Sequence, residues 1–209
     1  VHNHHNVNVI AFAWPSRPLD KTYKIDVEAD DVVLKLIKGA SFQAMALNYL
    51  KNKVVGYLRD SGENYEPARK NARESSIDLE AAFKLVNDNL KMAKPPVLLV
   101  HSMGNYLLQK AVEKGIDFYK KFANIVLHQA DVNAEGHDWV RDLLPQLDES
   151  LDTPAKLFIT TNLTDYVLFS SCARRALLRR DKTERLGQTR HHYLIGDIHY
   201  LDFSETPGI

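Results

Sequence analysis

Short apolar runs rich in Val, Ile and Leu recur at Val7–Ala13, Val97–Val100, Ile125–His128, Lys156–Thr161 and His192–Ile195. Each is short and bounded by polar or turn-forming residues, the pattern of a strand buried on both faces. Between the runs the apolar spacing changes to three and four. Leu79, Phe83, Val86 and Leu90 fall on one helical face, and so do Leu107, Leu108, Ala111 and Val112. Strands alternating with helices predict an α/β fold, a mostly parallel sheet covered by helices on both faces.

The stretch from about residue 17 to residue 63 departs from this alternation. Val32, Val33, Leu36, Ile37 and Ala40, then Met45, Tyr49 and Leu50, have helical spacing with no strand between them. It reads as a helical insertion that caps a site, closed by Ser61-Gly62. Glu66-Pro67 then starts a long helix running toward Met92, and Pro95-Pro96 marks its end. The whole chain, residues 1–209, reads as one domain carrying that insertion.

Composition narrows the partners. Twenty-seven basic residues balance twenty-seven acidic ones, so no global field steers the protein to nucleic acid or to an anionic membrane. Seven basic residues against two acidic ones between Arg174 and Arg190 would bind phosphate or anionic lipid if clustered; solvated helix and loop faces are the ordinary explanation. No run reaches the roughly 18 apolar residues of a membrane span, and the start lacks a basic segment followed by an apolar one, so a cytoplasmic location is the expectation. The single cysteine, Cys172, makes no internal bridge. His2, His4 and His5, separated by asparagine, read as a terminal tail and not as a metal site. The sequence begins at Val1 and not at Met, so residues are expected upstream.

The chemistry concentrates in Pro95–Leu108, PPVLLVHSMGNYLL, a breaker, an apolar strand, His-Ser-Met-Gly and a helix. Strand, tight turn and helix form the context of a nucleophile elbow, in which a serine projects above the sheet while N–H groups at the helix N-terminus face a developing oxyanion. Ser102 is the candidate nucleophile and the Met103 N–H one oxyanion donor. Gly104 lets strand and helix pass closely, and a β-branched Val100 stands where Gly-x-Ser-x-Gly has glycine. The competing reading makes Ser102 a helix N-cap.

A serine needs a base and an orienting carboxylate, which follow it in this fold in the order acid, histidine, from loops after later strands. Asp165 follows the Lys156–Thr161 run after Asn162-Leu163-Thr164 and is the favoured acid; Asp131, after Ile125–His128, is its competitor. His199 is the candidate base, read as lying in the loop after the last strand, whereas His191 and His192 lie at the other end of that strand. Trp14, stopped by Pro15, and His101 are candidate lining residues of a substrate pocket.

With these residues in view, the chain resembles a family of bacterial α/β-hydrolases of unknown function, esterase- and lipase-like. The shared pieces are Phe12-Ala13-Trp14-Pro15-Ser16, Val100-His101-Ser102-Met103-Gly104-Asn105, Ala130-Asp131-Val132, Asp165-Tyr166-Val167-Leu168, Arg185-Leu186-Gly187 and His199-Tyr200. The resemblance implies Ser102, Asp165 and His199 as a triad, Asp131 as a structural aspartate, and an upstream strand ending in a His-Gly loop ahead of this sequence. It implies hydrolysis of a small-molecule ester or related acyl substrate, with no cofactor. The alternative is an inactive relative that keeps the fold as a binding or interaction module.

Overall fold

The computed structural model describes residues 9–13, 55–92, 94–165, 167–169, 171–172, 184–188 and 194–204. In chain order its elements are α1 (Val55–Glu74), α2 (Ser76–Asn89), β1 (Val97–His101), α3 (Gly104–Val112), β2 (Asn124–His128), a 3-10 helix (His137–Gln146), β3 (Lys156–Thr161), a short 3-10 turn (Leu186–Gln188) and β4 (His199–Asp202). The strands form one sheet in the order β1-β2-β3-β4, and every pairing is parallel. A four-stranded parallel sheet flanked by helices is the expected α/β architecture.

Alternation along the strands decides which face is buried. Ile125, Leu127, Leu157 and Ile159 are buried, and Leu98 and Val100 pack against them. Leu107, Leu108 and Ala111 of α3, with Val140 and Leu143 of the 3-10 helix, complete that core. On the opposite face Val97 is 57% and Leu99 64% exposed, so among the described residues the sheet is packed mainly on one side.

The outer helices pack on α3. Phe83 of α2 stacks at 5.1 Å on Phe118 and meets Phe122 at 6.1 Å, which extends the predicted Leu79–Phe83 stripe into an aromatic cluster. The Arg69 guanidinium lies 4.1 Å from the centre of the Tyr106 ring and joins α1 to α3.

Three expectations are corrected. The helix does not begin at Glu66-Pro67: α1 starts at Val55 and carries Pro67 in its interior, and Ser75 divides it from α2. The described part of the Val7–Ala13 run, residues 9–13, forms no strand; Val9 is 84% exposed, and Phe12 packs against the core as an isolated anchor. The last strand is His199–Asp202, while Leu194 and Ile195 precede the Gly196-Asp197 turn. Most of the predicted insertion lies outside the described residues.

Candidate active site

The chain leaves β1 through Ser102, whose φ of 50° is left-handed. For a residue with a Cβ that conformation costs on the order of 1–3 kcal/mol, so neighbouring bonds must over-determine it. They do. Ser102 N–H donates to the His128 carbonyl at 3.0 Å, and the Ser102 carbonyl accepts from Asn105 N–H at 3.0 Å and Asp131 N–H at 3.2 Å. The fully buried Asn105 adds its side-chain amide, which reaches the carbonyls of Val100 at 3.2 Å, Ser102 at 3.0 Å and His128 at 3.3 Å. One amide thereby ties together the end of β1, the turn and the end of β2.

Met103, not Ser102, occupies the N-cap of α3, and the cap residue makes no side-chain hydrogen bond to that helix. The N–H groups of Met103 and Gly104 therefore sit in a first turn whose geometry gives them no intrahelical acceptor, at the positive end of the helix. Val100 packs partly buried against the core, so the β-branched residue fits the strand while the strain is taken at Ser102.

Polar side chains line the C-terminal rim of the sheet beside this turn. His101 pairs with His128 across the strands, their rings 5.5 Å apart. His101 Nε2 lies 2.9 Å from Gln129 Oε1 and His128 Nδ1 lies 2.8 Å from Thr160 Oγ1. Gln129 is a second left-handed residue, at φ 44°, and its N–H donates to Thr160 Oγ1 at 3.1 Å. Burial holds the His128 imidazole below its ordinary pKa, the neighbouring His101 adds to that effect, and Asp165 opposes it.

Asp165 emerges at the same rim after β3. Its Oδ1 accepts the N–H groups of Val167 at 2.9 Å and Leu168 at 3.1 Å and so opens the helical segment that follows. Its carbonyl accepts from Gln188 Nε2 at 2.6 Å.

His199 is placed differently from the expectation. It opens β4 and pairs with Phe158, with its ring 5.5 Å from that phenylalanine. Continuing the register by one residue puts His101, His128, Thr160 and Leu201 in one row. His199 is thus three rows behind Ser102 and three strands away. At about 3.3 Å per residue and about 4.8 Å per strand the backbone separation is on the order of 17 Å. Proton transfer needs about 3 Å, so the structure does not bring His199 to Ser102. The physical reason is that the predicted run ended too early: the strand proper begins at the histidine itself.

Asp131 is enclosed in a polar network behind the turn. Its Oδ2 accepts from the Tyr65 hydroxyl at 2.9 Å and its Oδ1 from Ser171 at 2.7 Å, while Arg185 Nε lies 3.2 Å from Oδ1. Arg185 is 1% exposed, and its Nη1 donates to Asn133 at 2.6 Å. Among the described residues Nε and Nη2 make no directed hydrogen bond, so charge rather than alignment holds the pair with Asp131. Burial, and next the Asp131 carboxylate, pushes the Tyr65 phenol above its ordinary range and keeps it a donor.

A family described as an alpha/beta hydrolase of unknown function (DUF900) matches residues 2–190. The chain belongs to that family. No curated protein and no solved structure gives a significant match. Within this α/β-hydrolase frame His101, Ser102 and Met103 lie at the end of β1 and Asp165 follows β3 at the same rim of the sheet; Trp14 lies outside the described residues. Among the described residues no helix is long and apolar enough to cross a membrane, and no group of His, Cys, Asp or Glu is arranged to hold a metal.

Sequence reasoning missed Asn105, Tyr65, Ser171 and the backbone role of Arg185-Leu186-Gly187. Leu186 N–H donates to Val132 O at 2.8 Å, Gly187 N–H to Ala130 O at 3.0 Å, and Asn162 N–H to Gly187 O at 2.8 Å. A Cβ on Gly187 would meet Ala130 N and Leu168 Cδ1 at 2.6 Å, so this approach needs glycine. Asn directly after Ser-Met-Gly was the available signal for Asn105; nothing local marked the others.

Proposed function

We propose that this α/β hydrolase is a serine hydrolase acting on an ester or related acyl bond, with Ser102 as the nucleophile. The observation that carries the reading is the left-handed φ of Ser102 between β1 and α3. Strain of this kind, fixed by four hydrogen bonds converging on the Ser102 backbone, is what a turn presenting an exposed hydroxyl requires, and a helix cap does not need it.

In this reading Ser102 Oγ attacks the acyl carbonyl carbon. The oxyanion that forms is met by the Met103 N–H, and the alcohol or equivalent leaving group departs with the serine proton, returned by an imidazole. Water then attacks the acyl-serine ester, releases the acid and restores Ser102. Asp165 supports the imidazole electrostatically from the rim. The geometry sets a requirement on that imidazole: it must reach the rim, which His199 in β4 does not, and the rim histidines among the described residues are His101 and His128.

Pre-steady-state hydrolysis of short para-nitrophenyl esters tests this. A burst of nitrophenolate equal to the enzyme concentration, lost in Ser102→Ala and retained in His199→Ala, is the expected result. Comparing His101→Ala with His128→Ala then names any base among them. Turnover that persists undiminished in Ser102→Ala, or no turnover by the folded protein, contradicts the proposal and leaves a binding module.

A further inference from the structure

The network around Asp131 carries a consequence for the site beyond its place in the fold. Tyr65 comes from α1, Asp131 from the loop after β2, Ser171 from the helical segment that Asp165 opens, and Arg185 from the segment after it. Asp131, Ser171 and Arg185 are each less than a tenth exposed. A buried ion pair of this kind is weak evidence for stability, because apolar residues of equal volume usually do as well. Stability alone therefore does not account for it, and the bonds leaving the network supply another role.

Beside the Arg185–Asn133 bond, two connections lead to the candidate catalytic segments. Asp131 N–H donates to the carbonyl of Ser102, the residue whose conformation is strained. On the other side Ser171 Oγ donates to Asp131 from the helical segment whose first turn is capped by Asp165, and Gln188, three residues beyond Arg185, holds the Asp165 carbonyl. Ser171 Oγ also lies 3.0 Å from the Tyr65 hydroxyl, so the carboxylate is gripped by an α1 residue and a rim-segment residue that touch each other.

We infer that Tyr65, Asp131, Ser171 and Arg185 are positioning residues that fix the Ser102 turn relative to the Asp165 segment. The inference rests on the serine-hydrolase reading above. None of the four touches the substrate; they act through the backbone of Asp131 and through the helical segment after Asp165. Displacing a reacting group by about 1 Å costs on the order of a hundredfold in rate, and loss of one network bond displaces the turn by a fraction of that.

The test is the inactivation of Ser102 by a fluorophosphonate, with kinact and KI measured separately for wild type, Tyr65→Phe, Ser171→Ala, the double variant, Arg185→Lys and Arg185→Met, well below each variant's unfolding temperature. The expected result is a fall in kinact of about tenfold in Tyr65→Phe and Ser171→Ala with KI unchanged, and a double variant less impaired than the product of the two, because both bonds end on one carboxylate. Arg185→Lys, which keeps the charge, retains more activity than Arg185→Met. Variants that unfold at lower temperature yet keep the wild-type kinact overturn the inference alone and make the network a fold contact. A wild-type protein that is not labelled at Ser102 overturns the serine reading and the inference with it.

Discussion

Asn105→Ala probes the account where its magnitudes are best defined. The wild-type amide has two protons and three carbonyl neighbours at 3.0 to 3.3 Å, so it counts as two shared hydrogen bonds, worth about 0.5–1.5 kcal/mol net each. Ser102 O and His128 O keep backbone donors in the variant; Val100 O loses this bond. Adding the small void left in a buried site gives a loss of about 2–3 kcal/mol. For a chain of this length that lowers Tm by about 5–10 °C, measurable by circular dichroism or calorimetry. Asn105→Asp is expected to be worse than alanine, because it points a carboxylate at three carbonyl oxygens. Labelling of Ser102 should fall in both, since the left-handed turn loses its side-chain tie. An Asn105→Ala protein within about 0.5 kcal/mol of wild type, with labelling unchanged, refutes the claim that this amide holds the elbow.

Other outcomes follow from the same geometry. Ser102→Gly should be more stable than Ser102→Ala by about 1 kcal/mol, because glycine has no Cβ penalty at φ 50°; chemical denaturation compares the two, and equal stability argues against strain at the turn. Gly187→Ala should lose about 1–3 kcal/mol through overpacking against Ala130 and Leu168, and a neutral effect on Tm would show that the 130–132 ladder yields easily. His128 and His137 are both held below the ordinary histidine value of 6.5 by burial. The unfolded chain therefore binds protons first, and stability drops as pH falls through the region below 6.5. Replacing both with glutamine should flatten that slope in denaturation measured from pH 8 to 5, and an unchanged slope assigns it to other groups.

Much of the sheet was legible because buried parallel strands write themselves as continuous apolar runs. Lys156–Thr161 is found with the same bounds, and the runs at Val97 and Ile125 are each one residue short. The last strand was misplaced because His199-Tyr200-Leu201-Asp202 is half polar and mostly exposed, whereas Leu194 and Ile195 look more strand-like but precede a turn. The start of α1 was missed because Gly62 and Pro67 read as breakers, although the helix continues through both.

The site divides along the same line. Ser102 and Met103 sit in a local strand–turn–helix motif, and that context is readable from spacing alone. The network is held by side chains far apart in sequence, Tyr65 to Asp131 across 66 positions and Ser171 to Asp131 across 40, and no periodicity encodes such a pairing. Asp131 shows the difference: its place after a strand was visible, but its burial against Arg185 was not. His199 failed for a related reason, since its distance from Ser102 is set by the sheet register and not by its position near the end of the chain.

The central claim is that Ser102 is an activated nucleophile. Incubating the purified protein with a fluorophosphonate and locating the adduct by peptide mass spectrometry tests it most directly. The expected result is one adduct per chain, on Ser102, absent from Ser102→Ala and from heat-unfolded wild type. A well-folded protein that takes up no probe, or takes it up on another residue while Ser102→Ala labels equally, contradicts it.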